Sequence, residues 1–222
     1  MKKKYYITTP IYYPSAKPHM GHAYSSISAD FIARYKRLEG YDVTFVTGTD
    51  EHGQKIQKSA DKRKLSPDIF CDEISKVFLD LTKTLNLSNT DFIRTTEIRH
   101  HKTVQKLWKI LEEKKFIYLS KYSGWYSVSD EAFYTESEIV EKDNIKLCEA
   151  SGSVVEWVEE ESYFFKLSEF QNLLIKHYED NPGFIQPSSR RNEVMSFVKG
   201  GLNDLSISRN SFKWGIPVPN SK

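Results

Sequence analysis

Two histidines three positions apart, His19 and His22, flank Met20-Gly21 near the amino end of the chain. Imidazoles at that spacing can lie on one side of a helical turn. Each can donate an N–H to a phosphate oxygen without help from a metal. Pro18 precedes the pair, and Gly21 stands inside it, where a missing Cβ would let a ligand approach the backbone. A second polar group, Asp50-Glu51-His52, lies between Gly48 and Gly53. Asp50 there can meet a cationic group, and His52 can donate or accept a hydrogen bond. Together these residues could hold a phosphate beside a positive charge. The plainer reading is that the histidines cap a turn, the glycine relieves a clash and the acidic loop is polar filler. The order of the surrounding elements favours the chemical reading.

Tyr5 to Thr9 is a short β-favouring run, a proline-bounded loop follows, and Tyr24, Ile27, Phe31, Tyr35 and Leu38 then recur at helical spacing. The histidines therefore stand at the start of the first long helix, where unpaired N–H groups and the positive dipole end attract anions. Gly40 is a natural stop for that helix, and Asp42 to Thr47 is β-rich. Strand, helix, strand predicts a βαβ unit with a parallel pair and a right-handed crossover. In such sheets ligands bind beyond the carboxyl ends of the strands. The loop over residues 10–22 and the Gly48–Gly53 loop both fall at that edge, so the two polar groups should converge. Neither a Walker-type Gly-Lys-Ser/Thr loop nor Gly-x-Gly-x-x-Gly occurs.

A chain of 222 residues can bury one large or two small cores. Lys+Arg 32 against Asp+Glu 30 leaves a net charge of +2, which excludes a global basic field for coating nucleic acid. Lys55, Lys58, Lys62, Arg63 and Lys64 form a local basic group that is equally a solvated helix face. Two cysteines, Cys71 and Cys148, are too few for a disulfide framework and fit a reducing compartment. Lys2-Lys3-Lys4 is followed by no apolar h-region, and no apolar run reaches the roughly 18 residues of a membrane span. The sequence thus predicts a soluble cytoplasmic protein without membrane contact, and a monomer.

Ser66-Pro67 should start a helix with Phe70, Ile74, Val77, Phe78, Leu81 and Leu85 facing a core. Asp91 to Arg94 reads as a short extended piece, and Thr96 as the cap of a helix carrying Val104, Leu107, Trp108 and Leu111. His100 and His101 are adjacent, so they cannot face one ligand together and read as surface residues. From about Phe116 the pattern changes to short β-like aromatic pieces, a β-rich insertion with Glu156, Glu159, Glu160 and Glu161 facing solvent. Ser168-Glu169-Phe170-Gln171 resembles a capping box, Arg190-Arg191 starts another helix, and Leu205 to Ser208 is a strand candidate before an aromatic, proline-rich tail.

Taken in order, several blocks resemble the N-terminal half of bacterial methionyl-tRNA synthetases, which are class I enzymes. They are Ile7-Thr8-Thr9-Pro10-Ile11-Tyr12-Tyr13, Pro18-His19-Met20-Gly21-His22, Gly48-Thr49-Asp50-Glu51-His52-Gly53-Gln54-Lys55 and Asp91-Phe92-Ile93-Arg94-Thr95-Thr96-Glu97. Phe133-Tyr134-Thr135-Glu136, Ser162-Tyr163-Phe164-Phe165, Arg191-Asn192-Glu193-Val194 and Asp204-Leu205-Ser206-Ile207-Ser208-Arg209 continue the likeness. The resemblance implies an α/β class I fold: residues 1–115 as the first half of a Rossmann-like parallel-sheet domain, 116–200 as an inserted α+β connective domain, and 201–222 as a return towards the catalytic fold. It implies activation of methionine by ATP, carried as its Mg2+ complex, to methionyl adenylate, and transfer to tRNA(Met). His19 and His22, with Pro18 and Gly21, would hold ATP, and the two histidines would steady the charge on the α-phosphate. Asp50 would take the methionine ammonium, and Ile11, Tyr13 and His52 would line the methionine pocket.

Two departures accompany the resemblance. Many members bind zinc in the insertion through two Cys-x-x-Cys-like pairs; here the corresponding positions hold Ser127 and Asp130, and then Cys148 as the one cysteine. One thiolate is too few for structural zinc, so no metal is expected and aromatic packing should hold the insertion. The chain also stops at Lys222, where the second half of the fold, the Lys-Met-Ser-Lys-Ser loop and the anticodon-binding domain would follow. It therefore reads as an N-terminal piece, expected to activate methionine poorly alone. Two other readings stand beside this one: a small nucleotidyltransferase using the same histidines on another acceptor, and a non-catalytic module binding tRNA or a protein partner.

Overall fold

The computed structural model describes residues 2–130, 132–142, 144–210 and 213–220. It divides into two compact units, Met1–Lys106 with Phe212–Lys222, and Leu107–Ser211. The first holds β1 (Lys4–Thr8), α1 (Met20–Leu38), β2 (Asp42–Thr49), α2 (Gln54–Lys62), α3 (Pro67–Thr84), β3 (Asp91–Arg94) and the start of α4 (Ile98–Glu113). The strands form one parallel sheet in the order β1-β2-β3, with Ile7 opposite Phe45 and Gly48 opposite Ile93. β2 runs through Gly48 to Thr49, two residues past the expected end. A Cβ on Gly48 would stand 1.8 Å from the Ile93 carbonyl oxygen, so only glycine lets β3 pair there.

Two clusters make the core of this unit. In one, Ala29 and Ala33 of α1 pack on Val43 and Phe45 of β2, with Tyr5, Ile7 and Tyr41 alongside. Small side chains let the helix lie close to the sheet, and the predicted apolar stripe of α1 points the other way. Tyr24 is 77% exposed, Phe31 72% and Leu38 87%. On the sheet, Tyr6, Thr8, Asp42 and Thr44 are exposed as well. The second cluster joins Tyr12, Ile56, Ala60, Phe70, Cys71, Ile74 and Phe78, with Tyr13, Leu65, Phe92 and Trp214 packed against it. Phe70, Ile74 and Phe78 are thus buried as the α3 stripe predicted. Lys55, Lys58, Lys62, Arg63 and Lys64 are exposed on α2 and just beyond it.

In the second unit β4 (Ile117–Ser127), β5 (Ala132–Tyr134), β8 (Glu156–Phe165) and β9 (Leu205–Ser206) form a sheet in the order β5-β4-β8-β9. A hairpin of β6 (Ile139–Lys142) and β7 (Ile145–Cys148) stands apart from that sheet. Aromatic pairs line it: Trp125 with Trp157 at 5.3 Å, Tyr126 with Phe133 at 4.7 Å and Trp108 with Tyr163 at 5.3 Å. Glu156, Glu159 and Glu161 are exposed, and the Glu160 side chain lies outside the described ones. Ser168 does not complete a capping box. Its hydroxyl and N–H both bond the Asp204 carboxylate, and a 3₁₀ turn, Leu167–Phe170, leads into α5 (Gln171–Asp180). α6 (Ser188–Lys199) begins two residues before Arg190, and the late strand is limited to Leu205–Ser206. Among the described residues no helix is long and apolar enough to cross a membrane.

Candidate active site

The two loops at the carboxyl ends of β1 and β2 are tied together by backbone. The Tyr12 N–H donates to the Gly48 carbonyl at 2.9 Å, and the Asp50 N–H donates to the Tyr12 carbonyl at 2.8 Å. Thr9 Oγ1 and Thr47 Oγ1 add a buried bond of 2.7 Å. The predicted convergence of residues 10–22 with residues 48–53 is therefore a feature of the fold.

At the start of α1, His19 is the N-cap. Its Nδ1 accepts from the Gly21 N–H at 3.1 Å, while Nδ1 of His22 accepts from the His19 N–H at 3.0 Å. This is a capping box built from imidazoles. It also fixes the tautomers: with both Nδ1 atoms accepting, the proton of each neutral ring sits on Nε2. The two rings are 3.9 Å apart, so two Nε2–H donors stand side by side. The plain reading and the chemical one hold together, because the cap leaves each ring one donor for a ligand.

Two expectations change in detail. The Gly21 amide is taken by His19 and the His22 amide by the His19 carbonyl at 3.0 Å. The anion-binding capacity of this helix start thus rests on ring donors more than on open backbone. A Cβ on Gly21 would meet His19 Cε1 at 2.9 Å, so the glycine makes room for that ring rather than for a ligand. His22 packs edge-on to Tyr12 and Phe78, and the Tyr12 hydroxyl bonds Ser26 Oγ, which donates to the His22 carbonyl at 2.7 Å. Burial, then the neighbouring His19, lowers the His22 pKa below its usual 6.5. It is a neutral donor at physiological pH.

The centre of the second loop is Glu51, which the residue types alone did not single out. Its side chain is fully buried, 0% exposed. Arg94 donates to both carboxylate oxygens at 2.8 and 2.9 Å, Thr49 and Thr96 donate at 2.6 Å each, and Ser75 donates as well. Burial pushes this carboxyl up, but the bonds from Arg94, Ser75, Thr49 and Thr96 outweigh it and hold it below the usual range. Thr96 does not cap α4: the helix starts at Ile98, its first free N–H groups reach the Glu97 carbonyl, and the Thr96 hydroxyl donates to Glu51. Asp50 is half-buried at the end of β2, with Thr95 Oγ1 at 3.5 Å from its Oδ1.

Ile11 is 47% exposed, Tyr13 half-buried, and Pro18 half-buried before the exposed His19. The Tyr13 hydroxyl donates to the His52 carbonyl at 3.0 Å, and the Lys55 ammonium lies 5.3 Å from its ring centre. His52 itself stands against other rings, 5.4 Å from His101 and 5.7 Å from Trp214. Burial, with His101 next, lowers its pKa to about 4. His101 is thus not a surface residue as the sequence reading had it. Adjacency forbids two histidines from facing one ligand, but it leaves each free to pack alone, and the first turns of α4 lie beside this loop. Trp214, in a segment that reads only as an aromatic tail, donates Nε1–H to the Glu51 carbonyl. Nothing local in the sequence marks it.

A zinc site in the second unit can be judged from its donors. Ser127, Asp130, Cys148 and Ser151 stand where the two Cys-x-x-Cys-like pairs would fall, one of them a thiol. The Asp130 carboxylate already accepts from Tyr134 at 2.8 Å, Ser151 at 2.6 Å and Ser153 at 2.8 Å, and the Asp130 N–H donates to Ser127 Oγ at 3.3 Å. These donors do not fit tetrahedral zinc. The carboxylate, beside the expected aromatic packing, ties the β4 end to the segment after β7. Among the described residues no group of three or more His, Cys, Asp or Glu is arranged to hold a metal ion.

A family model described as tRNA synthetases class I (M) matches residues 5–222. The chain belongs to that family. A methionine–tRNA ligase of Rickettsia prowazekii (strain Madrid E) is 56% identical over 222 residues, covering 100% of this chain and 43% of the relative. One from Mesorhizobium japonicum is 53% identical over 218 residues, covering 98% of this chain and 42% of the relative. Among solved structures, Mycobacterium tuberculosis methionyl-tRNA synthetase bound by methionyl-adenylate matches with a TM-score of 0.95 at 50% identity, over 98% of this chain and 43% of that one. The chain thus spans less than half the length of these relatives. Its parallel β1-β2-β3 sheet is the Rossmann-like sheet of a class I synthetase.

Proposed function

We propose that this chain carries the adenylate-forming first part of a methionine–tRNA ligase, which joins methionine to ATP and passes the methionyl group to tRNA(Met). The observation that carries the reading is the paired Nε2–H donors of His19 and His22, on a loop whose Tyr12 backbone is bonded to the loop that presents Asp50. As the methionine carboxylate attacks the α-phosphate of ATP, pyrophosphate leaves and charge builds on the phosphate oxygens. Fixed donors stabilise that charge without reorganising. His19 and His22 supply them, and Pro18 and Gly21 shape the turn that holds the two rings. Asp50 holds the substrate ammonium, and Ile11 and Tyr13 line the thioether pocket with apolar surface. His52 contributes through its carbonyl, which anchors Tyr13, more than through its ring. Mg2+ enters with ATP as the substrate complex.

Residues 1–115 are then the first half of the catalytic domain, 116–200 the connective insertion, folded without zinc, and 201–222 the return. We place the enzyme in the cytoplasm as a monomer. In the relatives, more than half the chain lies outside the matched part. α1 covers one face of the sheet, and the exposed Tyr6, Thr8, Asp42 and Thr44 lie on the other, on which the second half of such a fold packs, since parallel sheets are ordinarily covered on both faces.

The test is methionine-dependent exchange of labelled pyrophosphate into ATP, on this chain and on the same sequence continued to the length of its relatives. His22→Ala should lower exchange by about 10²–10³-fold, the effect of removing one preorganised donor. Exchange that needs no methionine, or that survives His22→Ala, would overturn the proposal.

A further inference from the structure

The Asp50–Gly53 loop is held from both of its backbone faces. The Glu51 N–H donates to Thr95 Oγ1 at 2.8 Å, and the Glu51 carbonyl accepts from Trp214 Nε1 and from Cys71 Sγ at 3.6 Å. The Glu51 side chain is locked from three elements, by Thr49 at the end of β2, Ser75 of α3, and Arg94 with Thr96 at and after the end of β3. Burial pushes the Cys71 thiol up to about 12, so it stays a neutral, weak donor. Trp214 lies 163 residues away along the chain, and its ring covers His52. The segment that carries it is itself tethered, since Gln105 Nε2 donates to the Pro217 carbonyl at 2.9 Å and the Gly53 N–H reaches the Trp214 carbonyl at 3.5 Å.

We propose that Glu51 and Trp214 are positioning residues for the amino-acid subsite: the Glu51 side chain anchors the loop and Trp214 holds the peptide plane after it, as Thr95 holds the one before, so that Asp50 faces a primary α-ammonium group in one fixed direction. Neither residue touches the substrate. A carboxylate that must find its direction on binding gives up part of its attraction to ordering the loop, whereas a clamped one does not. The clamp also explains why a fully buried carboxylate sits next to the proposed ligand-binding one: Glu51 faces inward so that Asp50 can face the ligand. It further gives the late segment a task at the site, because a loop at the end of β2 closes only when residues near 214 return to it.

The inference rests on the reading of Asp50 as the ammonium ligand, and the experiment separates the two. Trp214→Phe keeps a ring on His52 and removes the one N–H. In the sequence continued to the length of its relatives it should raise KM for methionine five- to tenfold, leave KM for ATP within twofold and lower Tm by no more than a few degrees. Amide hydrogen exchange at residues 50–53 should quicken by at least tenfold. Gln105→Ala, at a half-buried residue outside the core clusters, should move the same amides less and in the same direction. Equal rises in both KM values, or a methionine KM within twofold of the parent, would overturn the clamp. If the parent shows no methionine-dependent exchange, the functional reading falls, and the amides still decide: unchanged protection in both variants defeats the clamp.

Discussion

At the carboxyl end of β2, Glu51 places a charge in the interior and surrounds it with donors from four side chains. Along the outer side of α1 the arrangement is reversed, with Tyr24, Phe31 and Leu38 standing in solvent while Ser26, Ala29, Asp30 and Ala33 are buried. Both regions break the rule that apolar side chains go in and charges stay out, and they break it for different reasons. The first spends buried polar groups to fix a loop geometry, which only directional bonds can do. The second gains close helix–sheet contact from small residues, which leaves the large ones facing outward. Position in the fold, more than hydrophobicity, decides which side chains are enclosed.

The largest effect expected on this contrast comes from Glu51. Glu51→Leu leaves the partly exposed Arg94 guanidinium with the exposed Asp72, 2.7 Å away, and breaking its buried pair costs about 3 kcal/mol of unfolding free energy. Pairing it with Arg94→Met should recover much of the loss in denaturant unfolding, while the fixed loop geometry is not recovered. A double variant as unstable as the single one would mean that the carboxylate acts through Thr49, Ser75 and Thr96 alone. Gly48→Ala comes next. Its Cβ meets the Ile93 carbonyl oxygen, so β3 must shift, at a cost of about 3 kcal/mol. Stability within experimental error of the parent would show that the β2-β3 pairing yields easily.

Acid should act on the loop and spare the α1 surface. His52 binds its proton at about 4 in the folded chain, against 6.5 as the ordinary value. The unfolded chain therefore binds more protons in that window, so stability is full above 6.5 and falls progressively as pH drops towards about 4. After discounting for partial solvent access, the loss is on the order of 2 kcal/mol. Glu51 adds in the same direction, since its lowered carboxyl pKa contributes stability that is lost as pH falls through the folded value. Chemical denaturation at pH 7.5 and pH 4.5 would read the slope, and His52→Gln should flatten it. An unchanged slope would show that His52 is not the group responsible.

Much of this was legible in the residues. Local patterns placed β1, α1, β2 and α3 and put both motif loops at one sheet edge, because each signal lies within a few residues of what it governs. The side of α1 that is buried was not legible, because a 3.6-residue stripe identifies a face without saying what lies against it. Nor were the partners of Glu51, which come from Arg94, Ser75 and Thr96, or the arrival of Trp214. Those depend on long-range closure that no window can contain. Thr96 shows the limit well: as a threonine before a helix it had the form of a cap, but the helix starts two residues later and its hydroxyl donates to a buried carboxylate 45 positions earlier.

The smallest effect is expected on α1, and it is the sharpest test of the contrast. Phe31 is 72% exposed, so Phe31→Ser removes little surface that the fold has taken from water. Serine is a somewhat poorer helix former than the best residues, yet surface changes away from caps and cores usually stay within about 0.5 kcal/mol. Denaturant unfolding of this chain should therefore barely move, and the slope of free energy against denaturant should stay the same. The same change two positions on, Ala33→Ser, places a hydroxyl where exposure is 0% against Val43 and Phe45, and it should cost more than Phe31→Ser despite the smaller change in side-chain size. If the order were reversed, the large side chains of α1 would be supporting this unit after all, and the small-residue contact would not be what holds the helix to the sheet.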